Sequence, residues 1–331
     1  MQKFSMNPDP HSWVELESGT LDFDQYPDGS FQFRVTKYDF YKRKQIVTLK
    51  STLPAAIIAA AQVVDAINEM REGYEILLRV QTFPDQRGDK QGKSGACISA
   101  RVSARMIGTI NADEIQVFDL HSKAALTYLR ETYEGVVTEV NSLKCFDLMA
   151  YREVINSGVH VVKGYNRYDP SFDASDVKVV QVDAGASTRA RLWAGFYHAD
   201  LICMEKARDP EGRIVGHQIV GDPQSLLLPM NPETDVWVID DLCDGGATFI
   251  SVAKKLREEF PAWRGKLNLY VTHGLFSKGR VELLQHFDSV YALFNYDDWR
   301  SPEAQKAQIG TSDIMASLIG ADEADITRGL R

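Results

Sequence analysis

Short apolar runs recur along the chain, each bounded by polar, glycine or proline residues: Ile46–Leu49, Ile76–Val80, Ile115–Phe118, Val177–Val182, Leu201–Met204, Val236–Ile239, Leu267–Thr272 and Val290–Phe294. Most are rich in β-branched residues or leucine. Continuous apolar runs of this length are what a strand buried on both faces requires. Between them lie stretches with apolar residues at helical spacing: Pro54–Met70, Ile98–Thr109, Arg189–Tyr197 and Thr248–Phe260. Strand alternating with helix predicts βαβ units and parallel sheets, an α/β fold. One polar segment, Tyr165–Asp176 (YNRYDPSFDASD), interrupts the alternation near the middle of the chain and reads as a loop. Two domains are expected, with their junction close to it.

Composition narrows the function classes. The hydrophobic share of 44% and charged share of 25% are those of a soluble globular protein. A formal charge of −9 argues against sequence-independent nucleic-acid binding, which needs a basic face. Anionic substrates would then have to be met by particular, well-placed cations. Cys97, Cys145, Cys203 and Cys243 form no C-x-x-C pair, so neither a disulfide framework nor a structural zinc site is expected. The N-terminal MQKFSMNPDPHSW lacks the apolar segment of a secretory signal. No apolar run approaches the roughly 18 residues of a membrane span. A cytoplasmic protein with reduced thiols and no membrane partner is expected.

In open parallel sheets, ligands bind at the carboxyl ends of the strands, so the residues following each strand carry the functional reading. Val236–Ile239 is followed by Asp240 and Asp241, then by Asp244, Gly245, Gly246, Ala247 and Thr248, where a helix begins. A glycine-bearing loop leading into a helix offers backbone N–H groups to an anion, and glycine lets the backbone approach it closely. Two carboxylates would repel that anion unless they face sugar hydroxyls or a bridging Mg²⁺. A sugar phosphate meets both demands. An acidic turn that only caps the helix is the alternative. GDKQGKS (Gly88–Ser94) nearly spells a nucleotide phosphate loop, but it is one residue short between its glycines and is set aside.

An apolar strand, two acids and D-x-G-x-T resemble the phosphoribosyl-pyrophosphate motif shared by type I phosphoribosyltransferases and ribose-phosphate pyrophosphokinases (phosphoribosyl-pyrophosphate synthetases). Other segments resemble the pyrophosphokinases in particular. FPDQRGDK (Phe83–Lys90) is similar to their ATP loop, F-P-Y-A-R-Q-D-R, with Arg87, Asp89 and Lys90 at matching positions. VFDLHS (Val117–Ser122) is similar to V-D-L-H, which implies that His121 ligates the Mg²⁺ of ATP or polarises its phosphates. VQVDAGASTRARLWA (Val180–Ala194) resembles S-P-D-x-G-G-x-x-R-A. It implies a second metal or ribose-side carboxylate at Asp183 and a pyrophosphate-side loop over Gly185–Arg189. MEKARDPEGRIVGHQIVGD (Met204–Asp222) resembles the family's flexible catalytic loop, implying that Lys206 and Arg208 close over the transferred group. THGLFSKG (Thr272–Gly279) matches T-H-G-x-F-S, with His273 structural. YPDGS (Tyr26–Ser30) stands where the family has F-x-D-G-E, an element that reads adenine in a neighbouring subunit's ATP site, and so implicates Tyr26 and Asp28. Taken singly, His121 also suits a structural hydrogen-bonder, and 204–222 a solvated surface hairpin.

The resemblance runs in family order from about residue 20 to about 300. It implies two phosphoribosyltransferase-like, Rossmann-like domains with parallel sheets flanked by helices. An ATP-binding domain would cover residues 1–160, with 300–331 packing back on it. A ribose-phosphate-binding domain would cover 161–300, with the active site in the cleft between the two. The implied reaction moves the β,γ-diphosphoryl group of ATP, with Mg²⁺, to the anomeric C1 hydroxyl of a ribose-5-phosphate-type acceptor and releases AMP. A homo-oligomer, dimer or hexamer, is implied as well.

Departures from the pattern leave alternatives open. Gly245 stands where the family usually has the first threonine of D-T-G-G-T. A hydroxyl for a terminal 5′-phosphate is lost and room is expected in its place. Both ribose 5-phosphate and a larger 5′ derivative such as ADP-ribose therefore remain as acceptors. The second would give ADP-ribose 1-pyrophosphate, a precursor for NAD salvage of the kind linked to phage relatives of these synthetases. Ser30 replaces a glutamate, Ala186 a glycine, and Asp85, Gln86 and Gly88 depart within the ATP loop. SKAALTYLRETYEG, after His121, differs from the continuation that helps build the family's subunit contacts. A non-catalytic nucleotide-binding regulator would usually have lost Lys206, Arg208, His121, Asp183, Asp240 or Asp241, and a plain phosphoribosyltransferase lacks the N-terminal ATP half.

Overall fold

The computed structural model describes residues 12–148 and 177–296, apart from 40, 71, 72, 93, 198 and 221–231. The chain forms two compact units, the second beginning at residue 142. The junction expected near residues 160–176 and the segment 300–331 lie outside the described residues.

The first unit contains β1 (Val14–Leu16), β2 (Gly19–Gln25), β3 (Phe31–Tyr38), β4 (Lys44–Leu49), α1 (Pro54–Met70), β5 (Glu75–Val80), α2 (Ser99–Gly108), β6 (Glu114–Phe118), α3 (Lys123–Thr132) and β7 (Val136–Val140). Its five-stranded sheet has the order β1-β4-β5-β6-β7, parallel from β4 onward with β1 as an antiparallel edge. Strands β4 to β7 follow one another in chain order, so the connections leaving β5 and β6 emerge beside each other at the same carboxyl edge. Val47, Leu78, Val80, Ile115 and Val117 are buried in the sheet, and α1 lays Ala56, Ala59, Ala60, Val63 and Val64 into the same core. Small residues along that stripe let the helix lie close to the strands. Strands β2 and β3 form a separate antiparallel hairpin. Gln62 of α1 fastens it, accepting the Phe33 N–H at 2.9 Å and donating to the Phe31 carbonyl at 3.0 Å.

The second unit contains β8 (Val177–Gln181), α4 (Ser187–Tyr197), β9 (Asp200–Arg208), β10 (Ile214–Ile219), β11 (Asp235–Cys243), α5 (Ala247–Glu259), β12 (Leu267–Gly274) and β13 (Ser289–Asn295). Its six-stranded sheet has the order β10-β9-β8-β11-β12-β13, with β10 the antiparallel edge. From β8 the chain steps outward to β9, and from β11 it steps outward the other way to β12. The order therefore reverses between β8 and β11, the place where open α/β sheets form a crevice. Both faces of the sheet are covered. Phe249, Val252, Ala253 and Leu256 of α5 pack on one core. Elsewhere in the unit the helical residues 142–148 place Phe146 4.2 Å from Trp193 and 5.1 Å from Tyr270, ring centre to ring centre.

The architecture is the expected α/β one, and α1 spans Pro54–Met70 as its periodicity predicts. The segment 204–222 departs from a plain catalytic loop. Its described part is a β-hairpin: β9 continues through Lys206 to Arg208, and β10 returns beside it. The turn is closed by Asp209, which accepts from the Arg213 N–H at 2.8 Å and from Arg213 Nε at 2.6 Å. Strands β1, β2, β3, β7 and β10 and helix α3 are further additions, several of them short, edge or half-exposed and hence weak in apolar signal.

A buried ion pair anchors β5, the strand that leads into the expected ATP loop. Arg79 is 2% exposed, pairs with Glu17, and donates from Nε to Gln116 Oε1 at 3.1 Å. Glu17→Ala leaves that guanidinium buried without its counter-charge and should cost about 3 kcal/mol in urea unfolding. The double variant Glu17→Ala/Arg79→Met should cost less than the single change. A larger loss in the double variant would show that the pair is a net source of stability.

Candidate active site

The site in the second unit is set by strand register. Gln181 of β8 pairs with Ile239 of β11, so Asp183 and Asp241, each two residues further on, come out level on neighbouring strands. Asp183 closes the turn into α4, accepting N–H groups from Gly185 at 2.8 Å and Ala186 at 3.2 Å on Oδ1. Its Oδ2 takes the ammonium of Lys206, 2.6 Å away on β9. Burial pushes the Asp183 carboxyl up, but the Lys206 hydrogen bond and charge, with the two backbone donors, outweigh it and hold the group below the usual carboxylate range. Arg208, two residues along the same strand, instead donates to the Gly212 carbonyl at 2.8 Å within the hairpin.

Asp240 and Asp241 form a second acidic locus. Arg189, in the first turn of α4, lies 3.6 Å from Asp241 Oδ1 and 3.9 Å from Asp240 Oδ1. Burial raises Asp240 well above the usual range, the adjacent Asp241 charge raises it further, and Arg189 opposes both. Retention of a proton by Asp240 to a higher pH would limit the repulsion between two carboxylates held together. Cys243, at the end of β11, is pushed up to about 12 by burial and the neighbouring acids and stays a thiol.

The loop Asp244–Gly246 then turns into α5. Gly246 has φ +79°, and a Cβ there would lie 3.0 Å from Leu283 Cδ2, so glycine is required. The helix starts at Ala247 without a side-chain cap, and its first bond of the usual kind runs from the Ile250 N–H to the Gly246 carbonyl at 3.0 Å. The N–H groups preceding Ile250 have no intrahelical acceptor and point where an anion would sit. The β12–β13 connection is pinned alongside: Leu275 and Phe276 donate to the Cys243 carbonyl at 2.9 and 3.1 Å, and Ser277 to that of Asp244 at 3.1 Å. This lays Lys278 over Gly245. A Cβ on Gly245 would fall 3.4 Å from Lys278 Cε, so the room expected there holds a lysine stem.

In the first unit, the loops after β5 and β6 are tied together by Gln86, which is 3% exposed and accepts the His121 N–H at 3.0 Å. Tyr128 donates to the Asp89 carbonyl at 3.2 Å. The Asp89 side chain is buried, whereas Arg87, Lys90 and His121 are exposed. A Cβ on Gly88 would meet Ser99 Oγ at 1.9 Å, the contact that explains glycine at this position. Asp28 stands apart on the β2–β3 turn and binds its own Ser30, at 2.9 Å to N–H and 2.6 Å to Oγ.

No protein-family model matches the chain. Among curated proteins it is similar to the ribose-phosphate pyrophosphokinase of Ureaplasma parvum, 21% identical over 276 residues, 83% of this chain and 72% of the relative. It is likewise similar to the ribose-phosphate pyrophosphokinase of Mycoplasma genitalium, 22% identical over 278 residues, 83% of this chain and 73% of the relative. Among solved structures, phosphoribosylpyrophosphate synthetase from Mycobacterium smegmatis superposes with a TM-score of 0.57 over 92% of this chain and 91% of that one, at 18% identity. The chain is a divergent relative of the ribose-phosphate pyrophosphokinases.

For a pyrophosphokinase relative, the expected residues gather in three groups: Lys206 with Asp183; Asp240 and Asp241 beside the Asp244–Thr248 loop; and Arg87, Asp89 and Lys90 in the loop that Gln86 ties to His121. Sequence reasoning assigned no contact to Gln86, Arg189 or Lys278. Arg189 had a signal, closing the matched loop after Asp183. Lys278 follows the matched T-H-G-x-F-S, but only the fold puts it on Gly245. Among the described residues no group of three or more histidine, cysteine or acidic side chains converges as a metal cage. Taken unit by unit, the His121 imidazole of the first, and in the second the carboxylates already paired with Lys206 or Arg189, are too few for a protein-built cage and suit only a Mg²⁺ carried mainly by substrate phosphates and water. Nor, among the described residues, is any helix long and apolar enough to cross a membrane.

Two substitutions test this geometry. Gly246→Ala should cost about 1–2 kcal/mol in chemical unfolding, because alanine is strained at that φ. For Asp240, the raised value means that the native protein keeps a proton the unfolded chain releases. That contribution is intact below an unfolded value of about 4 and declines as pH rises toward the native one. Asp240→Asn should therefore stabilise the ligand-free protein more at pH 7 than at pH 4. Equal melting shifts at the two pH values would locate the retained proton elsewhere.

Proposed function

We propose that the protein is an ATP-dependent diphosphotransferase acting on a ribose-5-phosphate-type acceptor. The anomeric C1 hydroxyl attacks the β-phosphorus of ATP and loses its proton to solvent. The bond from that phosphorus to the α,β-bridging oxygen breaks, and AMP leaves with the oxygen. The observation that carries this reading is the Lys206–Asp183 contact at 2.6 Å, one strand away from the acid pair and the loop that opens α5. A cation held on an exchangeable carboxylate near a phosphate loop suits stabilisation of charge on a group in flight, which is most of what phosphoryl transfer asks of a protein.

In this reading the acceptor's 5′-phosphate sits on the loop Asp244–Thr248, with Gly245 and Gly246 giving backbone access. Asp240 and Asp241 take the ribose hydroxyls. Arg87, Asp89, Lys90 and His121 hold ATP, with Tyr26 and Asp28 contributing toward adenine. His121 and Asp183 would hold Mg²⁺, which when bound neutralises charge on the phosphates. Lys206 leaves Asp183 for the moving diphosphoryl group, and Arg208 joins it. The acceptor is ribose 5-phosphate or a 5′ derivative such as ADP-ribose, the latter giving a place in NAD salvage. A cytoplasmic homo-oligomer completes the reading, and Tyr26, 47% exposed at the hairpin tip, is open to a neighbouring subunit.

The test is AMP release from ATP and Mg²⁺ with each acceptor in turn. Lys206→Met should lower kcat about a hundredfold or more while leaving ATP affinity within about twofold, since the contact forms mainly in the transition state. An unchanged kcat removes Lys206 from the mechanism, and no AMP with either acceptor overturns the reading as a whole.

A further inference from the structure

We infer that α5 and the β12–β13 connection build a second phosphate subsite beside the phosphate loop, one that takes the distal phosphate of an acceptor esterified at its 5′ position as a diphosphate. This rests on the diphosphotransferase reading and specifies its acceptor. An open cavity of about 540 Å³ runs from Gly245 and Ala247, at the loop, past Ser251 to Lys254 and Lys278. It therefore begins where a 5′-phosphate on the loop would end. Lys254, at position 8 of α5, and Lys278 are both exposed, and among the described residues neither has a carboxylate at ion-pair distance. Lys255 faces the same cavity but is already paired with Glu259 at 2.7 Å and Glu258 at 3.4 Å. Glu282 is the remaining acid on the lining, so the two unpaired lysines leave a positive balance.

The lysine on Gly245 is the less ordinary feature. Its Cδ and Cε lie 3.5 and 3.4 Å from where a Cβ would stand, so the stem packs on bare backbone and the ammonium is carried to the mouth of the cavity. A Cβ at position 245 would meet that stem at ordinary van der Waals distance. A monoester phosphate is served by backbone N–H groups alone. A flanking pair of uncommitted cations answers a second, more remote anionic group. Ser251 supplies a hydroxyl on the same wall, held by His217 Nδ1 at 3.0 Å.

The probes are ribose 5-phosphate and ribose 5-diphosphate, which differ by the one phosphate in question. Calorimetric titration into the full-length protein, with a non-hydrolysable ATP analogue present, should show the diphosphate binding about tenfold tighter. Lys254→Met/Lys278→Met should abolish that difference, and Lys254→Met alone, outside the phosphate loop, should narrow it while leaving ribose 5-phosphate affinity unchanged. Both side chains are exposed, so the variant should fold, and its far-ultraviolet spectrum and melting curve check this. Equal affinities in the unaltered protein overturn the subsite, as does a preference that survives in the double variant. AMP release is scored separately. Its absence with every acceptor would sink the diphosphotransferase reading and leave the binding comparison standing.

Discussion

The parallel ladder between β8 and β11 is the constraint on which the candidate site depends. Its register brings the chain out of two neighbouring strands at the same height, so Asp183 and Asp241 stand level at the switch-point crevice of the sheet. The two strands belong to separate βαβ units that wind outward in opposite directions. A slip of one residue would turn each side chain to the other face of the sheet. The apolar faces of Val180, Val236 and Val238 packed against α5 make such a slip costly.

Around that crevice every acidic locus has its own cation. Lys206 sits on Asp183, and Arg189 reaches the Asp240–Asp241 pair. The ligand-free protein therefore holds its charges in exchangeable pairs, avoiding the cost of bare carboxylates in a half-buried cleft. Substrate phosphates and hydroxyls can then enter by replacing one partner at a time. The depressed Asp183 and the raised Asp240 express the same design in two environments, one with a close cation and two backbone donors, the other crowded by a like charge.

The phosphate loop shows how a substitution is answered elsewhere in the fold. Gly245 removes a side chain, and Lys278, from a segment tied to the Cys243 and Asp244 carbonyls, lies across the gap. Where the resembling family usually carries a threonine hydroxyl, this chain has a lysine stem across the loop. The proposed subsite runs on from there along α5.

The apolar runs by themselves determined the alternation of strand and helix, because a parallel strand buried on both faces can tolerate little else. The residues ending those runs, Asp183, His121, Asp240, Asp241 and the glycines after them, were legible for the same reason: strand ends are where such a sheet exposes chemistry. The hairpin at Lys206–Arg208 was legible only as an alternative to a flexible loop, since edge strands such as β10 alternate weakly and face water. Nor were Gln86, Arg189 and Lys278 as members of the site. Each acts across a gap in sequence that only packing closes: Gln86 across 35 residues to His121, Arg189 to an acid pair on another strand, Lys278 onto a glycine in another loop. Local sequence determines which elements form and what they carry at their ends. Which side chain answers which charge is decided by strand order and register, and those are properties of the assembled sheet.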